Sequence, residues 1–124
     1  MRLKRMEFDN LVKRAIRRIP QEIREQLVNI LISVQEEPSA DILGDMGLPV
    51  GYPLLGVYQG ASLTERSSTS PPLYPDTIFL FQKPLEDMCR SVEELEKQIE
   101  ITVVHEVAHF MGLIEEKLIE LGYE

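Results

Sequence analysis

TVVHEVAHFMGLIEE, residues 102–116, holds the only two histidines of the chain, four positions apart, with Glu106 directly after the first. The apolar residues that lead into it, Leu95, Ile99, Ile101, Val103, Val104 and Val107, recur at three- and four-residue spacing, and Ala108, Phe110 and Met111 extend the pattern. This periodicity predicts a long helix that begins at SVEE and ends at Gly112. Ser91 is placed to cap it, and Glu94, three residues on, to close a capping box. The stretch is apolar almost all round in its second half, the mark of a helix buried at the centre of a domain. Because the β-branched run ITVV is a poor local choice for a helix, packing is expected to override propensity there.

On such a helix, residues i and i+4 lie one turn apart on the same face, so His105 and His109 can point at one ion. Glu106 is offset by one position, too far round to ligate but able to reach a water held at that ion. HExxH needs this arrangement: two neutral imidazole ligands for zinc and a carboxylate that takes a proton from the attacking water. Burial strengthens the reading, since an unpaired polar group in a core costs about 1–3 kcal/mol. The plainer alternative is a pair of core histidines bonded to backbone, with Glu106 reaching solvent. Zinc with an open fourth position also needs a third protein ligand. A left-handed turn at Gly112 would bring Glu115 back toward the ion, with Glu116 as the fallback. Either acid can instead be an ordinary N-terminal charge on a short last helix read over LIEEKLIELGYE and stopped by Gly122.

The rest of the chain is consistent with one small domain over residues 1–124. At 44% hydrophobic residues it can build a core without disulfides, and the single Cys89 excludes an internal bridge or a four-cysteine zinc site. Cys89 is read as a small buried hydrophobe. A formal charge of -8 argues against general nucleic-acid binding. Residues 1–18 nevertheless hold seven of the thirteen basic residues, read as the solvated face of an N-terminal helix. No run approaches the roughly 18 apolar residues of a membrane span and no signal-like segment opens the chain, so a cytoplasmic protein is expected.

Phe8, Leu11, Val12, Ala15 and Ile16 predict an amphipathic helix over 5–18, closed before Pro20. QEIREQL suggests a short second helix, NILISVQEEP a strand, and LLGVYQG another short one. PDTIFLFQKP is the best strand in the sequence, read as an exposed edge over residues 77–82 on which a peptide can add. Residues 44–75 contain ten of the fifteen Gly and Pro residues and are expected to be irregular. Candidate oxyanion donors are Tyr58, Arg66, Tyr74 and Tyr123, though amphipathic packing for each Tyr and a surface ion pair for Arg66 are the more common roles.

HEVAHFMGLIE resembles the extended motif of Asp-zincins, HExxHxxGxx followed by an acid. With LLGVYQGASLTER, TIFLFQKPLE and CRSVEELEKQIE, it makes most of the chain similar to the mini-zincins, short bacterial zincin-like proteins regarded as metallopeptidases. The resemblance implies a minimal α+β fold, with a small sheet packed against the HExxH helix and the N-terminal helix alongside. It further implies His105, His109 and Glu115 as zinc ligands, Glu106 as general base, and a peptide or protein substrate. The sequence departs from the family in having Glu115 where Asp is usual, and Phe110 and Met111 where His and Phe are usual. The rival function is a non-catalytic metal- or protein-binding module on the same scaffold.

Overall fold

A computed structural model of the chain describes residues 2–60, 76–112 and 115–123, with the side chain of Glu115 excepted. Helix α1 (Arg5–Arg18) and a short α2 (Gln21–Arg24), continued by a 3-10 turn, lead into strand β1 (Ile30–Gln35). Helix α3 (Ala40–Asp45), strands β2 (Gly56–Gln59) and β3 (Asp76–Phe81), and helices α4 (Gln82–Asp87), α5 (Val92–Met111) and α6 (Glu115–Glu120) follow. The three strands form one mixed sheet in the order β1-β3-β2, with β1 parallel and β2 antiparallel to β3. This is the α+β arrangement expected.

The core lies where α1 and α5 cover one face of the sheet. Phe8, Leu11, Val12 and Ala15 from α1 meet Leu95, Ile99, Val103 and Val107 from α5, over Ile78 and Leu80 of β3. Each of these side chains larger than alanine contributes about 1.5–3 kcal/mol by leaving water. Those contacts hold ITVV in a helix against its propensity, since Thr102, Val103 and Val104 are all buried within α5.

Three readings change. Residues 77–82 are not an edge: β3 is the central strand, and its last expected residue, Gln82, already starts α4. The prolines that bracket PDTIFLFQKP resemble edge protection, but Pro84 sits in the first turn of α4, where no backbone donor is needed. Two helices, α3 and α4, have no counterpart in the sequence pattern. Ser39 caps α3 by accepting the Ile42 N–H at 3.1 Å, and α3 buries only Leu43. In α4 the buried Gln82 side chain accepts from Arg5 Nε and donates to Leu3 O, both at 2.9 Å, and to Glu86 Oε2 at 3.0 Å. Tertiary bonds of this kind leave no local pattern. Finally, the cap of α5 is half of the expected box: Ser91 Oγ accepts the Glu94 N–H at 3.1 Å, while Glu94 accepts from Arg90 N–H at 3.2 Å rather than from Ser91.

The basic arm is only partly a solvated face. Arg14 Nε lies 2.9 Å from Glu96 Oε1, Arg18 Nη1 lies 2.8 Å from Glu96 Oε2, and Arg18 Nε lies 3.2 Å from Glu100 Oε1. Both carboxylates are buried on α5, so the arginines neutralise acids that packing takes out of water.

Strand β2 crosses α5 at very short range. A Cβ on Gly56 would stand 2.8 Å from Thr102 Cγ2 and 3.0 Å from Phe79 O. The methyl belongs to a β-branched side chain and the oxygen to the central strand, so neither can swing away. Gly56→Ala is expected to lower stability by about 1–3 kcal/mol, the usual cost of overpacking, seen as a lower urea midpoint. Adding Thr102→Ser should recover part of the loss. An unchanged midpoint in the single variant would show that β2 is not pressed against α5.

Candidate metal centre

Helix α5 emerges from the core over its last two turns, which corrects the expectation of a helix buried all round. Val103, Val104, Val107 and Ala108 are buried, His105 and Glu106 are half-buried, and His109 and Phe110 are exposed. The two imidazoles therefore share one helix face that solvent reaches. Burial does not force a metal upon them; accessibility permits one.

Between them, Glu106 is held by the sheet. Its Oε1 accepts the backbone N–H of Tyr58 at 3.0 Å. Burial pushes the Glu106 carboxyl above the ordinary range, opposed first by the Tyr58 N–H and then by His109 and His105. A carboxylate raised in this way is a stronger base than an exposed glutamate.

The Tyr58 N–H is available because of strand register. Phe81 N–H donates to Leu55 O at 2.9 Å, and Gly56 pairs with Leu80 and Tyr58 with Ile78. Antiparallel pairing alternates, so Val57 and Gln59 exchange bonds with β3, while the backbone groups of Gly56 and Tyr58 face away from it. Glu106 thus bonds to the outer edge of β2. The Tyr58 ring stacks on Phe110, with centroids 4.2 Å apart and planes 14° apart, and its hydroxyl donates to Asp76 Oδ2 at 2.9 Å. Phe110, one of the residues that depart from the pattern of the resembling family, thereby joins α5 to β2. Sequence reasoning misses the Tyr58–Glu106 bond because a backbone donor has no signature in the sequence.

Two depressions flank the Glu106–Tyr58 bond. One, of about 340 Å³, is bordered by His105, Glu106, Tyr52, Leu54, Ile101 and Thr102. The other, of about 490 Å³, is bordered by Glu106, His109, Phe110, Met46, Val57 and Tyr58.

The donor set suits a zinc ion at two positions: imidazoles at i and i+4 on an accessible face, with the adjacent carboxylate tied to β2. Among the described residues no group of three His, Cys, Asp or Glu side chains converges on a metal position. Gly112 has the expected left-handed conformation, φ 69°, and α6 starts at Glu115. The Glu115 side chain, expected as third ligand, lies outside the described residues; Glu116 is exposed on α6.

Of the candidate oxyanion donors, Arg66 and Tyr74 lie outside the described residues. Tyr58 lines the larger depression with its hydroxyl engaged by Asp76. Tyr123 is removed from the site: it is 3% exposed, and its hydroxyl donates to Glu100 Oε2 at 2.6 Å. Cys89 is buried as expected, and desolvation pushes its thiol up.

A family model described as zincin-like metallopeptidase matches residues 27–123 of this chain. Among solved structures, a conserved hypothetical protein from Thermo thermophilus is similar with a TM-score of 0.59 and 19% identity, over 94% of this chain and 98% of the other. At that identity the likeness concerns the fold alone. No curated protein matches.

Proposed function

Since the chain belongs to the zincin-like metallopeptidase family, we propose that it is a zinc-dependent peptidase in which His105 and His109 hold the metal, Glu115 completes the ligand set and Glu106 is the general base. When bound, zinc supplies a Lewis acid that polarises a carbonyl and makes water acidic near neutral pH. The remaining work falls to the chain. Glu106 takes a proton from the attacking water and passes it to the leaving amine.

The observation that carries this reading is the Tyr58 N–H bond to Glu106 at 3.0 Å. It ties the proposed base to β2, on the wall of both depressions. A histidine pair serving only to pack the core would be covered, whereas His109 is exposed.

Metal analysis tests the reading. Protein purified without chelator and reconstituted with zinc is expected to hold about one ion per chain, and His105→Ala and His109→Ala to lose it. Glu115→Ala should weaken retention further than Glu116→Ala. Absence of specific uptake would overturn the metal site. Zinc uptake with no cleavage across a broad peptide library would leave a binding module. No helix among the described residues is long and apolar enough to cross a membrane.

A further inference from the structure

Strand β1 forms the edge of the sheet opposite to β2 and the candidate metal centre, and half of its backbone groups turn outward. On β3, Phe81 N–H donates to Leu55 O, so Thr77, Phe79 and Phe81 serve β2 while Ile78 and Leu80 serve β1. In the parallel ladder Ile78 stands opposite Ile32 and Leu80 opposite Val34, so each bonds to the residues that flank its partner, namely Leu31, Ser33 and Gln35. Ile30, Ile32 and Val34 therefore face away from the sheet. Arg5 Nη1 shows the same phase by donating to Val34 O at 3.0 Å. Among the described residues, the outward N–H and C=O of Ile30 and Ile32 and the N–H of Val34 meet no partner.

An open edge is ordinarily blunted by a lysine, a proline or a bulge, whereas ILISVQ carries no charged residue, proline or glycine. Beside it, α1 leaves a groove of about 490 Å³. Val12, Ile16, Ile32 and Val34 give this groove an apolar lining, and α1 adds Asp9 and Lys13 to its wall. Neither of these charges has an ion-pair partner among the described residues. A strand that fills the groove needs apolar side chains at alternate positions, together with a base and an acid to meet Asp9 and Lys13. The chain itself meets both needs. Ile30, Ile32 and Val34 alternate along β1 on the face packed toward the core, and an acid and a base presented together are matched by the same pair turned round by a two-fold axis.

We propose that a second copy of this chain occupies the edge, with β1 pairing antiparallel to β1 of its partner about a two-fold axis through Ile32, which joins the two three-stranded sheets into one. That register sets Ile32 opposite the partner's Ile32 and Ile30 opposite the partner's Val34 as hydrogen-bonded pairs, with Leu31 opposite the partner's Ser33 between them. Residues directly opposite share a sheet face, so the alternating apolar side chains of each β1 enter the groove under α1 of the other copy. Arg5 keeps its bond to Val34 O, because a carbonyl oxygen has a second lone pair to offer. The histidine face of α5 lies at the other edge of the sheet and stays open.

Sedimentation equilibrium of the full chain over a range of concentrations is expected to show reversible dimers. Ile32→Pro removes an outward N–H that the β1–β3 ladder does not use, so the fold should stand, as its urea midpoint will show. Both central bonds of the interface are lost together, and association should weaken at least about tenfold. Leu31→Cys combined with Ser33→Cys keeps the test decisive should the proline unfold the chain, since both side chains lie on the sheet face away from α1. Opposed residues of a non-hydrogen-bonded pair have Cα atoms about 4.5 Å apart, within reach of a disulfide, so mild oxidation should give a covalent dimer that neither single cysteine variant forms as readily. Cys89 is buried and does not compete. A chain that stays monomeric at every concentration overturns the proposal, even where a foreign extended peptide occupies the edge. A dimer that neither weakens in Ile32→Pro nor cross-links through positions 31 and 33 uses another face and overturns it equally.

Discussion

Glu106→Gln is expected to lower the rate of peptide hydrolysis by zinc-loaded protein by about 10²–10⁴-fold, the usual contribution of a positioned general base. Zinc content should stay near that of the wild type. The substitution is chosen because the amide keeps an oxygen where Oε1 accepts the Tyr58 N–H at 3.0 Å, so the side chain retains its place while losing its basicity. The loss should therefore fall on kcat, with KM little changed. Glu106→Asp makes the complementary test. It keeps a carboxylate but shortens the reach by one methylene, which breaks the bond to β2. A large loss in both variants places catalysis in a base that must be present and held. Full activity in the glutamine variant would assign the proton to another group.

That experiment turns on a contact the sequence does not display, and the difference between what is legible and what is not has a physical pattern. The helix over residues 92–111 is readable because its apolar spacing repeats along its whole length and its ends carry Ser91 and Gly112. The histidine pair follows from helical geometry, and the first helix from its spacing and Pro20. Elements fixed by long-range bonds are hidden: α4 is ordered by Gln82 and Glu86 gripping Leu3, 79 and 83 residues earlier. Strand order is equally invisible, since nothing in DTIFLF says how many neighbours it has, and the central strand reads as an edge. The site inherits both faults. Its residues on α5 are marked by pattern, but its other wall, Gly56 and Tyr58, acts through a missing Cβ and a backbone N–H.

Tyr123 shows the same lesson in energetic form, and its partner gives the largest stability effect expected of a single polar residue here. Glu100→Leu should destabilise the fold by about 3–5 kcal/mol in urea unfolding, the cost of breaking a buried charge cluster from one side. Glu100 is 3% exposed and accepts the Tyr123 hydroxyl at 2.6 Å, with Arg18 Nε at 3.2 Å and Lys97 Nζ at 3.3 Å. Removing the carboxylate strands the hydroxyl in the core, where an unmade bond costs about 1–3 kcal/mol, and leaves Arg18 to Glu96 alone. Tyr123→Phe should cost less, because Lys97 and Arg18 still serve Glu100. The double variant replaces both ends of the shortest bond by apolar groups, so its loss should be smaller than the sum of the singles by about 0.5–3 kcal/mol. Strict additivity would show that the two residues stabilise the fold separately. Alkaline titration gives an independent check. Burial first, and the Glu100 carboxylate second, hold the Tyr123 hydroxyl above its ordinary range. The unfolded chain then releases this proton first, so the stability it contributes is complete below pH about 10 and falls as pH rises beyond. Tyr123→Phe should remove that part of the slope. Because the cluster lies more than a turn before His105, Glu100→Leu protein kept below its midpoint should still bind zinc, which separates anchoring of α5 from its chemistry.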